Sequence, residues 1–188
     1  MQKFSFIRHG ETDWNVEKRI QGHTDIPLNA KGKLQAKERA KALQQEPFDV
    51  CFSSDLSRAE QTARILVEGR SIPLYLDMRL RERSHGILEG LLWHDYHAIN
   101  TQERALMVES PDDVVHRLFS ILDEIIHSNV LIVTHGGVMK ALLHRLLASS
   151  SQDIFVSNAA LLQVSWHQGN ASVLYHDGIG KPTRELQN

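Results

Sequence analysis

Residues 4–15 read Phe4-Ser5-Phe6-Ile7-Arg8-His9-Gly10-Glu11-Thr12-Asp13-Trp14-Asn15. The apolar start (Phe4, Phe6, Ile7) has the composition of a buried strand and stops abruptly at a cation, an imidazole and a glycine. In open parallel sheets, ligands gather beyond the C-terminal ends of the strands. Gly10 lets the backbone turn sharply and approach a bound group closely. Arg8 supplies a planar fork of donors suited to phosphate or carboxylate. His9 can act as a nucleophile, a general base or a metal ligand.

The same punctuation recurs further along. Asn129 to Val133 is a second clear buried strand, leading directly into Thr134-His135-Gly136-Gly137 and an apolar helix predicted over 138–147. Residues 49–52 form a short strand ending in Ser53-Ser54-Asp55, with Ser54 or Asp55 expected to cap a helix over 56–67 that stops at Gly69. Asn29 is the expected N-cap of a helix over 30–44, with Leu34, Ala40 and Leu43 turned inward. Residues 73–76 read as a third short strand. Pro111-Asp112-Asp113 opens a helix expected to reach about His127. Residues 160–166 and 171–175 read as two final strands joined by a hairpin turn at Gln168-Gly169-Asn170, with a loosely held tail after Gly178.

Strands alternating with helices predict a three-layer α/β/α sandwich with a mostly parallel central sheet and one antiparallel edge strand. The 188 residues are expected to form one domain, with a lid-like excursion around 79–111 where periodicity is weak. The hydrophobic content of 41% and charged content of 23% are those of a soluble globular chain. A net charge of -2 without a basic block speaks against a nucleic-acid surface. No apolar run reaches the roughly 20 residues of a membrane span. The chain enters a strand at once, so no secretory leader and a cytoplasmic location are expected. Cys51 stands alone, within a strand, and is expected to be a buried thiol.

Four features follow strand ends and can converge on one cleft: Arg8-His9-Gly10, Arg58, Glu82 and His135-Gly136-Gly137. Two arginines, two histidines and one carboxylate suit a dianion together with one acid or base. Phosphoryl transfer needs these types. A neutral imidazole can attack phosphorus and carry the group covalently. Arginines, a second imidazole and helix-start amides can neutralise the charge on the three equatorial oxygens. A carboxyl can protonate the departing alcohol and then activate water. Glu82 is the available acid, with Glu89 its main competitor. The other reading of Glu82 is an ion pair with Arg79, Arg81 or Arg83.

The segment Phe6 to Asn15 closely resembles the signature of the histidine phosphatase superfamily, the phosphoglycerate mutase-like group. The resemblance continues through Gln21-Gly22-His23-Thr24-Asp25-Ile26-Pro27-Leu28, Lys31-Gly32, Ser53-Ser54-Asp55-Leu56-Ser57-Arg58-Ala59-Glu60-Gln61-Thr62-Ala63, Leu80-Arg81-Glu82, Gly86, Glu89-Gly90 and Val133-Thr134-His135-Gly136-Gly137. It implies that His9 is the phosphorylated nucleophile and Glu82 the proton donor. It implies that Arg8, Arg58 and His135 complete the phosphate pocket. Asn15 and the Gly136 amide would help to hold the phosphate, and Gln21 and Gly22 would lie at the substrate. It implies no metal and no cofactor; His94 and His97 stand three apart without an evident third ligand.

Leu88 stands where many relatives carry Trp, Val108-Glu109-Ser110 keeps two residues of a Gly-Glu-Ser element, and the segment between Gly90 and Pro111 is short. A short lid admits water, which favours a phosphomonoesterase over a mutase. Gln21-Gly22 also resembles the phosphatase branch. The expected partner is a small phosphorylated substrate. The alternatives are mutase-type transfer and a protein phosphohistidine substrate. Arg79, Arg81, Arg83, His94 and His97 hint at a substrate with further negative charge. Monomer and homodimer both stay open.

Overall fold

A computed structural model describes residues 1–147, 154–167 and 170–180. Strand β1 (Gln2–Arg8) leads through a short helix α1 (Asp13–Val16) and a long loop to α2 (Ala30–Ala42). Then come β2 (Val50–Ser53), α3 (Ser57–Val67) and β3 (Leu74–Leu76). Two 3-10 turns and the short helices α4 (Trp93–Ala98) and α5 (Thr101–Ala105) fill the excursion. The chain closes with α6 (Pro111–Glu124), β4 (Asn129–Thr134), α7 (Gly136–Leu147), β5 (Phe155–His167) and β6 (Asn170–Gly180).

Among the described residues six strands form one sheet in the order β3-β2-β4-β1-β5-β6. The pairs β1/β4, β2/β4 and β2/β3 are parallel, and β5 is antiparallel to both β1 and β6. The mostly parallel sheet is as expected, and the reversed strand sits one place in from the edge.

Side-chain alternation along β1 and β4 feeds two cores, one on each face of the sheet. Phe4, Phe6, Val130 and Ile132 pack with Leu118, Leu122, Met139 and Leu142 of α6 and α7. Ile7, Leu131 and Val133 pack with Ala59, Ala63 and Leu66 of α3, together with the buried thiol of Cys51. Helices therefore cover both faces, which gives the three layers and explains why β4 reads as an unbroken apolar run and β1 as one interrupted only by the buried Ser5.

Several local expectations need correction. Leu34 does not reach the core and is 56% exposed. Ala40 and Leu43 face inward as expected, joined by the buried Gly32 and Ala36 in place of Leu34. Gly32 packs backbone to backbone against Glu11, where an added Cβ would meet the Glu11 carbonyl oxygen at 2.1 Å. Neither Ser54 nor Asp55 is the cap of α3. Its N-cap is Leu56, which makes no side-chain cap bond, and Asp25 Oδ1 accepts the Ser57 N–H at 2.7 Å. Asp55 is engaged by Arg81. α6 ends at Glu124, and β5 starts at Phe155, earlier than its periodicity suggested. β6 continues to Gly180, so Gly178 lies within a strand. The predicted turn at 168–169 and the tail from 181 onward lie outside the described residues. Asn29 caps α2 as expected, accepting from Gly32 N at 2.8 Å.

No helix among the described residues is long and apolar enough to cross a membrane.

Candidate active site

Three parallel strands deliver the site from one edge of the sheet. Arg8 of β1 lies beside Thr134 of β4, and Ser53 of β2 beside Val133. His9, Ser54 and His135 are the residues that follow. The ladder continues past the strand ends, with His9 N–H donating to the Thr134 carbonyl and Ser54 N–H to the Val133 carbonyl, each at 3.0 Å.

His9 is 2% exposed. Its Nδ1 lies 2.6 Å from the Gly10 carbonyl oxygen. A carbonyl only accepts, so Nδ1 carries a proton and donates it. Burial, then the charges of Arg58 and Arg8, holds the His9 pKa well below the ordinary imidazole value. The ring is therefore neutral, with its lone pair on Nε2. The His135 ring stands 5.2 Å from that of His9, centroid to centroid. His135 Nε2 lies 2.9 Å from Ser54 Oγ, while its buried Nδ1 has no protein partner. With the Ser54 hydroxyl donating to Nε2, Nδ1–H remains as a donor. Burial and the neighbouring Arg58 charge hold His135 neutral as well.

Arg58 is fully buried. Its Nη1 and Nη2 donate to the carbonyls of Thr24 and Gly22 at 2.9 and 2.7 Å. Arg8 donates through Nη1 to the Val156 carbonyl. The Nε atoms of both arginines are buried and unpartnered, as is Gln21 Oε1. Burial lowers the Arg58 pKa to about 10, which leaves it charged near neutrality. Buried donors without partners are costly in a folded protein unless a ligand satisfies them. Three such donors, with the Gly136 amide at the start of α7, suit the oxygens of a phosphoryl group.

Both glycines after His135 follow from close approach. A Cβ on Gly136 would lie 3.2 Å from Arg8 Nε, and one on Gly137 would lie 2.3 Å from Glu82 Oε1. Glu82 Oε2 accepts the Gly137 N–H at 3.1 Å, and Oε1 accepts the Arg83 N–H at 2.8 Å. The ion-pair reading of Glu82 fails. Arg79 pairs with Asp77 and Glu124, Arg81 pairs with Asp55, and Arg83 Nε donates to the Glu109 carbonyl. The same partners remove Arg79 and Arg81 as hints of an anionic substrate. Glu89 is fully engaged. It accepts from His23 N, His85 N, Thr24 N and Thr24 Oγ1. Burial alone would raise its pKa, and these hydrogen bonds outweigh that and hold it below the usual carboxylate range. Glu89 thus pins loop 22–24 and has no lone pair directed at the site.

Asn15 closes a capping box on α1 with Thr12. Its Oδ1 accepts from Thr12 N, Thr12 Oγ1 and Asn158 Nδ2. Gly22 has φ +53°, and a Cβ there would meet Glu89 Oε1 at 2.1 Å. Arg8, His9, Arg58, His135 and Gly136 are brought together, Glu82 joins them through Gly137, Asn15 through Asn158, and Gly22 through its carbonyl on Arg58, with Gln21 next to it in the chain.

Sequence reasoning missed five contributors. Asn158 touches the His9 carbonyl and Asn15. His23 Nε2–H donates to the Glu82 carbonyl at 2.8 Å. Ser54 orients His135. Arg117 donates to the carbonyls of Arg79, Arg81 and Glu82 and pairs with Glu109, so it fixes the loop that carries Glu82. Lys140 lies on α7 one turn beyond Gly136. Burial and the Arg8 charge lower its pKa, while the Glu82 charge raises it. The one available signal was Glu109, part of the element already singled out. Among the described residues no group of three or more His, Cys, Asp or Glu is placed to hold a metal ion.

Residues 4–177 match the model of the histidine phosphatase superfamily (branch 1). The chain belongs to this superfamily. A histidine phosphatase relative, the uncharacterized phosphatase PhoE of Bacillus subtilis (strain 168), is 34% identical over 147 residues, 76% of each chain. The metal-independent phosphoserine phosphatase of Arabidopsis thaliana is 35% identical over 163 residues, 77% of this chain and 68% of that one. The structure of a mycobacterial glucosyl-3-phosphoglycerate phosphatase in complex with VO3 superposes with a TM-score of 0.81 at 28% identity, covering 92% of this chain and 97% of that one. Other relatives carry phosphoglycerate mutase names. With its superfamily the chain is an enzyme of the phosphoric monoester hydrolase class.

Proposed function

We propose that this chain is a metal-independent phosphomonoesterase that works through a phosphohistidine on a small phosphorylated metabolite. One observation carries the reading. His9 donates from Nδ1 to the Gly10 carbonyl, so its Nε2 lone pair is free in a pocket where Arg8 Nε, Arg58 Nε and His135 Nδ1 are buried without protein partners.

In the first step Nε2 of His9 bonds to phosphorus as the ester P–O bond breaks, and protonated Glu82 gives its proton to the departing alcohol oxygen. Arg8, Arg58, His135 and the Gly136 amide hold the charge on the transferred group. In the second step a water oxygen bonds to phosphorus as the P–N bond breaks, and the Glu82 carboxylate takes the proton from water. Inorganic phosphate leaves and His9 is restored. Residues 79–111 act as a short lid. Its small size supports hydrolysis over transfer to a second alcohol, because transfer requires water to be kept out.

The test is hydrolysis of an aryl phosphate without added metal, with inhibition by vanadate, followed by a phosphometabolite panel ranked by kcat/KM. His9→Ala is expected to abolish turnover and the acid-labile phosphoenzyme; retained turnover contradicts the nucleophile. Isomerisation of 3-phosphoglycerate that depends on bisphosphoglycerate, at rates above hydrolysis, contradicts the esterase.

A further inference from the structure

The β5 strand is interrupted beside the nucleophile. Its pairing with β6 jumps from Val156 opposite Ile179 to Leu161 opposite Asp177. Residues 157–160 therefore stand opposite Gly178 alone. At the crest Ala159 is an unremarkable strand residue by composition, yet it has φ +56°, a conformation that alanine rarely adopts. Bulges of this kind redirect side chains next to active sites.

This bulge grips the residues that hold the phosphoryl group. The Ala159 N–H and the Asn158 side-chain amide both donate to the His9 carbonyl, at 3.2 and 3.3 Å. Asn158 Nδ2 also donates to Asn15 Oδ1 at 3.2 Å. Asn15 Oδ1 thus faces donors only, which sets which end of the Asn15 amide is oxygen and leaves its NH2 for an acceptor. Val156, just before the bulge, accepts from Arg8. The bulge is anchored from outside the site: Arg39 donates to the Ala159 carbonyl through Nε and to Asp177 Oδ2 through Nη2, each at 2.8 Å.

We propose that Asn158 is a positioning residue that orients the His9 backbone and the Asn15 amide for phosphoryl transfer to His9. This rests on the reading of His9 as nucleophile. The chemical step is sensitive to displacements of about 1 Å, which can cost about 100-fold in rate. Transfer to His9 requires Nε2 to be aimed at phosphorus. Hydrolysis of the phosphoenzyme depends chiefly on water and its base, so it is less sensitive to this alignment.

The experiment is rapid-quench measurement of phosphoenzyme formation and decay with an aryl phosphate. It uses the full chain, Asn158→Ala, and Asn158→Asp, which keeps the shape and loses the donated hydrogen bonds. The expected result is a phosphorylation rate reduced about tenfold or more, with vanadate binding weakened through the misaimed Asn15 amide and decay of the phosphoenzyme changed less than about threefold, in folded protein. Arg39→Met is expected to produce the same pattern more weakly. Equal loss in both steps, or no change in the first, overturns the proposal. Failure of both Asn158 variants to fold also overturns it, since Asn158 is then structural. Absence of a phosphoenzyme in the unaltered chain would instead overturn the His9 reading on which this one rests.

Discussion

The rings of His9 and His135 stand 5.2 Å apart with their planes inclined at 60°, and both are held neutral by burial and by the arginines around them. A bound phosphate dianion reverses that balance. An anion favours the charged form of a neighbouring imidazole and raises its pKa. His135 Nδ1 is the buried imidazole nitrogen without a protein partner. Binding of vanadate or phosphate near pH 7 is therefore expected to take up as much as about one proton per site. Calorimetry in buffers of different ionisation enthalpy measures it. Zero uptake would mean that neither ring gains charge on binding.

The same two rings make stability depend on pH. Both have folded pKa values below the unfolded value near 6.5, so below that value the unfolded chain binds protons that the folded chain does not. Stability is fully present above about pH 6.5 and falls as pH drops toward the folded values, by about 1.4 kcal/mol per pH unit for each ring. His85, His97 and His144 are shifted the same way and are less buried, so they add smaller amounts. The lowered carboxylates Asp55, Asp77, Glu89 and Glu109 contribute only below their ordinary range near pH 4. Urea unfolding between pH 7 and 5 is expected to show this steep loss, and His135→Gln to flatten it by about 1.4 kcal/mol per pH unit. An unchanged slope in that variant would refute the assignment of His135 as buried and neutral.

Glu82 and Glu89 are separated by what their oxygens touch. Glu82 meets two backbone amides at the start of α7 and the adjoining loop, whereas Glu89 is fastened to loop 22–24 and His85. Glu82→Gln is expected to slow alkyl phosphates by about 100-fold or more and nitrophenyl phosphate far less, because a good leaving group needs no proton. Glu89→Gln is expected to lower stability by about 1–3 kcal/mol and to affect both esters alike. Steady-state rates on the two esters and thermal unfolding distinguish the outcomes. Leaving-group dependence in the Glu89 variant would move the acid there.

What could be read in the sequence was what lies directly on a strand end. β1 and β4 are buried on both faces, so they are apolar on both, with only the buried Ser5 intervening in β1, and Arg8, His9, His135 and Gly136 follow at once. Arg58 and Glu82 stood out through their motifs. The contributions of Arg117, His23 and Asn158 arise from contacts between segments 35 to 149 positions apart, which no local pattern carries. The β5 bulge was hidden because polar Ser157 and Asn158 break the apolar alternation and an alanine does not announce a left-handed backbone. Leu34 misled because α2 meets the Glu11 backbone through Gly32 and turns small Ala36 and Ala40 inward.

Gly22 offers the sharpest test of how the phosphate pocket is held. Its φ of +53° is one that a side chain opposes, and a Cβ would meet Glu89 Oε1 at 2.1 Å. Its carbonyl accepts from Arg58 Nη2 at 2.7 Å. Gly22→Ala must therefore move Glu89, strain the backbone, or both, and each displaces the carbonyl that orients Arg58. The backbone conformation alone costs about 1–2 kcal/mol, which lowers Tm by about 2–4 °C for each kcal/mol in a chain of this size. Because Arg58 is a fully buried cation, its displacement is expected to weaken vanadate binding by about tenfold as well. Thermal unfolding and vanadate inhibition of the one variant read the two effects separately. A variant with lowered Tm and unaltered vanadate affinity would show that Arg58 does not depend on the Gly22 carbonyl for its place in the pocket.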